Sequence, residues 1–241
     1  MKRMAFLMIL VLVLAGCGSS SVQTPVGPPT NTVIDTEKIS DSVEVLTVES
    51  ELGDETWESQ TIKYEKDGKV LENYFNPWLR PSFDWISENV GEDSVILSWW
   101  DYGHMIKGYT NRDVVLYSPS EDILWTVASG EWDVEGSGPL SSHEKILDVV
   151  SVLTTEEPAK VIEIMDQYDA DYLFLTAKDS VFSAVLFYLG GLNTEEYQTK
   201  DGPKEKALAT MLYRMIGKEE IDGLELVYFD DLVRIYGVSE Q

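Results

Sequence analysis

Apolar and polar positions alternate loosely along Val43-Glu44-Val45-Leu46-Thr47-Val48, and two further runs, Thr56 to Tyr64 and Val70 to Phe75, flank Lys66-Asp67-Gly68-Lys69. A repeat near two residues is that of a half-buried strand. An Asp-Gly between two such runs predicts a tight hairpin. Residues 41–77 are therefore expected to form a small β-hairpin region of their own, with Pro77 and Pro81 marking its exit. From Ser82 the period lengthens. Ser82 can cap a short helix through Asn89, with Phe83, Ile86 and Val90 on one face and Gly91 as its stop. Ser94 to Ser98 reads as a buried strand and Val114 to Tyr117 as another, ending at Pro119, while Gly, Ser and Pro over 129–141 predict a loop. Ile146, Val149, Val150 and Leu153 place a helix over Ser142 to Leu153. Thr155-Glu156-Glu157-Pro158 introduces a second, Ala159 to Tyr168. A strand, Asp171 to Thr176, is followed by helices over Val181 to Leu192 and Lys204 to Ile216. Leu226 to Phe229 and Leu232 to Tyr236 close the chain as a hairpin around Asp230-Asp231. Strands alternating with helices predict an α/β layered domain over residues 78–241.

The N-terminus follows a different logic. Lys2 and Arg3 precede an apolar stretch, Met4 to Leu14, too short to cross ~30 Å of hydrocarbon as a finished helix. Leu14-Ala15-Gly16-Cys17 resembles the lipobox of bacterial and archaeal lipoproteins, which implies a signal peptide over 1–16 and lipidation of Cys17. An ordinary secretory signal is the alternative. Residues 17–40 are rich in Ser, Thr, Pro, Gly and Val and short of large apolars, so they are expected to form a flexible tether. The protein would then sit on the outer face of the cell membrane, anchored through Cys17.

Charge narrows the partners. The formal charge is −25 and becomes −27 once Lys2 and Arg3 are lost with the signal. Such a surface repels nucleic acid and anionic headgroups, so no nucleic-acid partner is expected and the membrane is reached through lipid alone. Seven Trp and twelve Tyr allow one sizeable core in the remaining ~200 residues. The single cysteine excludes an internal disulfide framework.

Most catalytic signatures are missing. The two histidines, His104 and His143, lack ligand-spaced partners, and no Cys-x-x-Cys, His-Glu-x-x-His, Gly-x-Ser-x-Gly or phosphate loop occurs. No metal or cofactor is expected. Asp201-Gly202 and Asp230-Asp231 read as turns. One cluster is different: Trp99-Trp100-Asp101-Tyr102-Gly103-His104, delivered to the tip of the strand that ends at Ser98. Core packing accounts for one indole, because neighbours on a strand point to opposite faces. It leaves the adjoining carboxylate and phenol unexplained. A carboxylate beside indole N–H groups makes a compact acceptor and donor site for a small hydroxyl.

Ser98-Trp99-Trp100-Asp101-Tyr102-Gly103-His104 with Asn111-Arg112 resembles the WWDYG block of the catalytic subunit of oligosaccharyltransferase, in its archaeal form. Glu156-Glu157, Ala159 to Tyr168, Tyr172-Leu173-Phe174-Leu175 and Leu224 to Val238 resemble the elements downstream in those enzymes, so the likeness covers roughly 78–238 and leaves 18–77 outside. It implies the fold of their soluble C-terminal domain. It also implies that Trp99, Trp100 and Asp101, with Tyr102 beside them, bind the hydroxyl of an Asn-x-Ser/Thr acceptor peptide. A second family motif begins with Asp and carries Lys three residues later. Asp179 matches its start, Phe182 stands where the Lys is expected, and Lys178 is adjacent.

The family's metal-binding and glycan-lipid sites lie on a multi-spanning membrane region for which this sequence shows no match, so no catalytic residue is assigned and glycan transfer by this chain alone is not expected. The reading that follows is a lipid-anchored module that binds Ser/Thr-containing peptide. One alternative is an accessory subunit of a separate membrane oligosaccharyltransferase in protein N-glycosylation. The other is a relic fold with a structural cell-surface role. No Asn-x-Ser/Thr occurs in the chain itself.

Overall fold

The computed structural model describes residues 29–66, 68–117 and 144–239. The expected signal peptide, Cys17, most of the tether, the 129–141 loop and His143 lie outside the described residues. No described helix is long and apolar enough to cross a membrane.

The chain begins with a four-stranded antiparallel meander, β1 (Thr30–Lys38), β2 (Val43–Leu52), β3 (Glu55–Lys66) and β4 (Lys69–Phe75), in that spatial order. Two tight turns set its register. Leu52 pairs with Glu55 across Gly53-Asp54, and Lys66 pairs with Lys69. Gly53 and Gly68 hold φ of +65° and +72°, which only a residue without Cβ adopts freely. The sheet is therefore larger than the hairpin read from the sequence. Strand β1 also corrects the tether, which was expected to run to residue 40. Every residue of β1 is exposed, so no apolar pattern marks it. It is held by its backbone ladder to β2, by Ser50 Oγ donating to Asn31 Oδ1 (2.8 Å), and by an Arg80–Glu37 ion pair at 2.7 Å.

Val43, Val45, Ile62, Tyr64 and Phe75 bury the inner face of this sheet. Asn76 then caps a 3-10 turn, Pro77–Leu79, by accepting from the Trp78 amide (3.1 Å). Helix α1 (Arg80–Asn89) follows with Pro81 in its first turn. Its N-cap is Leu79 rather than Ser82. The Ser82 hydroxyl is buried and donates to the Leu79 carbonyl (2.6 Å).

A five-stranded mixed sheet forms the second layer, in the order β10-β11-β7-β5-β6. Its strands are β5 (Val95–Ser98), β6 (Asp113–Val114), β7 (Tyr172–Thr176), β10 (Leu224–Phe229) and β11 (Val233–Val238). β5 runs parallel to β6 and β7, while β11 is antiparallel to β7 and β10. The central strands read as unbroken apolar runs because both faces are covered: Ile96, Leu97, Leu173, Phe174, Leu175, Val233 and Ile235 are all buried. Helix α2 (Trp100–Thr110) links β5 to β6. α3 (Glu144–Thr154) and α4 (Pro158–Gln167) turn Ile146, Val149, Val150, Val161 and Ile164 into the same core.

Two predicted helices are interrupted. Residues 181 and 182 belong to a 3-10 turn, Ala177–Phe182, and α5 spans only Ser183–Leu189. After α6 (Thr194–Tyr197) and the short ribbon β8 (Gln198–Thr199) with β9 (Gly202–Pro203), the expected helix 204–216 divides into α7 (Glu205–Leu208) and α8 (Met211–Ile216). Thr210 explains the break. It is buried, and its hydroxyl turns back to the Ala207 carbonyl (2.7 Å).

Candidate functional site

The Trp99–His104 cluster follows directly on the end of β5 and is helical from its second residue. Trp99 is the N-cap of α2 (φ −63°, ψ 152°), and Trp100, Asp101, Tyr102 and Gly103 make its first turn. The two indoles therefore stack, with centroids 4.3 Å apart and planes inclined by 28°, instead of pointing to opposite faces as strand neighbours would. Sequence reasoning missed the helix because Gly103 and Gly108 each cost about 1 kcal/mol against Ala within a helix. Tertiary packing requires both. A Cβ on Gly103 would lie 1.9 Å from the Leu116 carbonyl oxygen, and one on Gly108 would lie 2.5 Å from the Tyr64 ring. The helix is thus pressed against the segment after β6 on one side and against β3 on another.

The helix start sits beyond the C-terminal end of β5, beside that of β7, the end of a parallel sheet at which ligands usually bind. A concavity of about 580 Å³ opens there, walled by Trp100, Asp101, Tyr102, His104 and Met105 from α2, by Lys178 and Phe182 from the 3-10 turn, and by Asn73, Tyr74 and Asn76 from β4 and its exit. A larger open depression of about 970 Å³ lies at the opposite end of β7, lined by Asp166, Asp169, Asp171 and Glu225 among others. Of these, Asp171 is engaged in accepting from the Val95 amide (2.9 Å).

Each expected residue has a distinct place. Trp100 and Asp101 reach the pocket wall. Asp101 is open to solvent on one side. Crowding by protein on the others raises its carboxyl above the usual aspartate range, and the Trp100 indole N–H opposes the rise. Its position in the first helical turn also favours the anion. Trp99 is buried and lies behind Trp100, outside the pocket lining.

Tyr102 joins the wall to a buried polar lock. Its hydroxyl donates to Asp179 Oδ1 (2.6 Å) and lies 2.8 Å from Thr176 Oγ1. Asp179 Oδ2 accepts from the Thr176 amide (2.8 Å), and Thr176 Oγ1 accepts from the Lys178 amide (3.2 Å). Thr176 and Asp179 thus form a capping box at the end of β7. Asp179 is only 3% exposed; burial pushes its carboxyl up to about 6, although its bonds to Thr176 and Tyr102 pull the other way. Burial and the neighbouring Asp179 push the Tyr102 phenol well above the usual tyrosine range. Each Asp179 oxygen accepts a hydrogen bond and Asp179 is not part of the lining, so it positions the wall from behind.

Sequence reasoning missed the third wall. His104 Nε2 lies 2.9 Å from the Tyr74 carbonyl, and burial lowers its pKa below the ordinary value. The Asn76 amide contacts Met105 Sδ (3.3 Å). Nothing in the local pattern of residues 73–76 signals that a strand of one sheet borders a helix start of another. Among the described residues, no group of three or more His, Cys, Asp or Glu is arranged to hold a metal ion.

No family model matches the chain. Among curated proteins, the dolichyl-diphosphooligosaccharide–protein glycosyltransferase subunit stt-3 of Caenorhabditis elegans is 26% identical over 163 residues, covering 57% of this chain and 18% of that protein. The corresponding subunit of Schizosaccharomyces pombe is 26% identical over 97 residues, 40% of this chain and 10% of its own length. The chain thus matches less than a fifth of either relative. Among solved structures, the C-terminal globular domain of an oligosaccharyltransferase from Archaeoglobus fulgidus superposes with a TM-score of 0.52 at 17% identity, covering 68% of this chain and 99% of that domain. These matches relate the chain to oligosaccharyltransferase subunits over that stretch and give it the α/β fold of their C-terminal globular domain.

Proposed function

We propose that this protein binds extended peptides through a Ser or Thr hydroxyl held in the Trp100–Asp101 pocket. It does so on the outer face of the cell membrane, anchored through a lipidated Cys17. The observation that carries the reading is the pairing of an acceptor and a donor on one pocket wall, Asp101 beside Trp100, with Tyr102 behind them locked to Asp179 and Thr176. A hydroxyl both donates and accepts one hydrogen bond well; Asp101 would accept its proton, and the Trp100 indole N–H, on turning from Asp101, would donate to its oxygen. The likeness to glycosyltransferase subunits that act on protein supports a peptide over a sugar as the occupant. Within N-glycosylation such a domain would present acceptor segments to a separate membrane oligosaccharyltransferase.

Titration calorimetry of the full chain with an Asn-x-Thr peptide and its Asn-x-Ala counterpart tests the proposal. The Thr peptide should bind at least about tenfold more tightly, and Asp101→Ala should abolish that difference, since a hydrogen bond to a charged group contributes about 1.5–3 kcal/mol. Equal affinity for the two peptides would refute it.

The Trp99–Trp100 stack, buried on both rings, favours a second reading in which the tryptophans serve packing only. On that reading Trp100→Phe lowers stability and leaves peptide affinity unchanged.

A further inference from the structure

β4 is the last strand of the four-stranded sheet, so one of its edges has no strand partner among the described residues. The register decides which groups that edge presents. Lys66 and Lys69 close the two-residue hairpin as a pair, and residues of an antiparallel ladder alternate between hydrogen-bonded and non-bonded pairs. Lys69, Leu71, Asn73 and Phe75 therefore turn their backbone groups toward β3, and Val70, Glu72 and Tyr74 turn theirs away. The His104 ring meets the Tyr74 carbonyl at 2.9 Å, which agrees with that phase. Among the described residues, the N–H of Val70, Glu72 and Tyr74 and the carbonyls of Val70 and Glu72 are left open. The side chains of Val70 and Tyr74 are 65% and 59% exposed.

This edge leads into the pocket, since Asn73, Tyr74 and Asn76 form one of its walls. We infer that β4 receives the peptide as an added strand, which carries its hydroxyl residue past Tyr74 into the Trp100–Asp101 pocket; this rests on the pocket reading above. Adding a strand to a sheet edge supplies affinity through main-chain bonds, while a side-chain pocket supplies selectivity. The occupant's chemistry follows. It is an extended segment whose flank on one side of the Ser or Thr covers about five residues, because Val70 to Tyr74 spans roughly 16 Å at ~3.3 Å per residue. It is neutral to basic, because a chain of formal charge −25 repels an acidic one.

Calorimetry on the full chain compares a Thr-containing tripeptide with peptides extended by five residues on one side or the other. Extension on one side only should tighten binding about tenfold or more, as two or more main-chain hydrogen bonds would. An otherwise identical extension carrying three Glu should lose most of that gain. Glu72→Pro should reduce the long peptide to the tripeptide's affinity and leave the tripeptide unchanged, since an edge strand tolerates proline where its N–H faces outward. If that variant does not fold, N-methylation of the long peptide at successive positions gives the same reading on the unaltered protein: loss should occur at every second residue. A tripeptide that binds as tightly as both extended peptides overturns the added strand and leaves the pocket reading intact. Failure of every Thr peptide overturns both. Concentration-dependent dimers that Glu72→Pro abolishes would assign the edge to a second copy of this chain and overturn the inference.

Discussion

Substituting Gly103 by alanine sets two opposed effects against each other, and the structure decides between them. In an isolated helix the change stabilises by about 1 kcal/mol. In this helix the new Cβ would meet the Leu116 carbonyl oxygen at 1.9 Å and the Tyr117 carbonyl oxygen at 2.7 Å. Both obstacles are backbone, and they are not free to retreat. The Val115 amide donates to the Ile96 carbonyl (3.1 Å), and Leu116 is buried. Moving that segment by roughly 1 Å therefore strains the attachment of the β6 region to β5. Overpacking of this kind costs ~1–3 kcal/mol and sometimes more, and an unyielding obstacle places the cost at the upper end. Net destabilisation should be about 2 kcal/mol or more. With an m-value of ~2 kcal/mol/M in urea, the unfolding midpoint should fall by about 1 M. Gly108→Ala, whose obstacle is the Tyr64 ring, should lower the midpoint less, because a side chain has some freedom to turn. A Gly103→Ala midpoint equal to or above that of the unaltered protein would falsify the claim that close packing, and not a turn, requires glycine there.

Three further expectations concern the buried polar lock and its neighbour. Asp179 has a folded pKa of about 6 against 3.8 when unfolded, so the folded state binds the proton more tightly. Its contribution to stability is largest below the unfolded value and is lost as pH rises through about 6, by up to ~3 kcal/mol. Asp179→Asn should remove that slope, read as the difference between the two urea-midpoint profiles from pH 4 to 7.5; parallel profiles would overturn it. His104 has the opposite sign. Its folded pKa lies below 6.5, so its share of stability is present above 6.5 and lost as pH falls. His104→Gln should flatten the acid side of the profile, and an unchanged acid limb would count against a buried ring. Tyr102→Phe leaves Asp179 short of one donor and should cost about 1–3 kcal/mol, seen as a melting point lower by roughly 2–4 °C per kcal/mol; an unaltered melting point would mean that water replaces the phenol.

The sequence made some of this structure plain. Val95-Ile96-Leu97 and Tyr172 to Thr176 announced themselves as buried strands because both faces are covered and nothing interrupts the apolar run. Helix α4 was legible from Pro158 and its apolar face. The meander was read only in part. The Asp67-Gly68 turn was visible, whereas Gly53-Asp54 lay between the strongly polar ends of β2 and β3. β1 escaped because a strand whose side chains are all exposed carries no apolar alternation. The helix that carries Trp100 and Asp101 escaped because the reasons for its two glycines, the Leu116 carbonyl and the Tyr64 ring, come from elsewhere in the chain. For the same reason the resemblance carried no sign of this local geometry. It led to Asp101 and Trp100 on the wall, and equally to Trp99 and Asp179, which the fold sets behind it.

Strand β1 has a mechanical consequence. Any pull transmitted from residues before it enters the folded body through a strand that buries no side chain and is fastened by a ladder, the Ser50–Asn31 contact and the ion pairs of Glu37 and Lys38. Such an element opens at a far smaller free energy than the core behind it. Under load it should peel first and release about nine residues, while β4, the second sheet and the pocket they border keep their shape. Such a strand would act as a fuse, sparing the geometry of Trp100 and Asp101 from a pull on the residues before it.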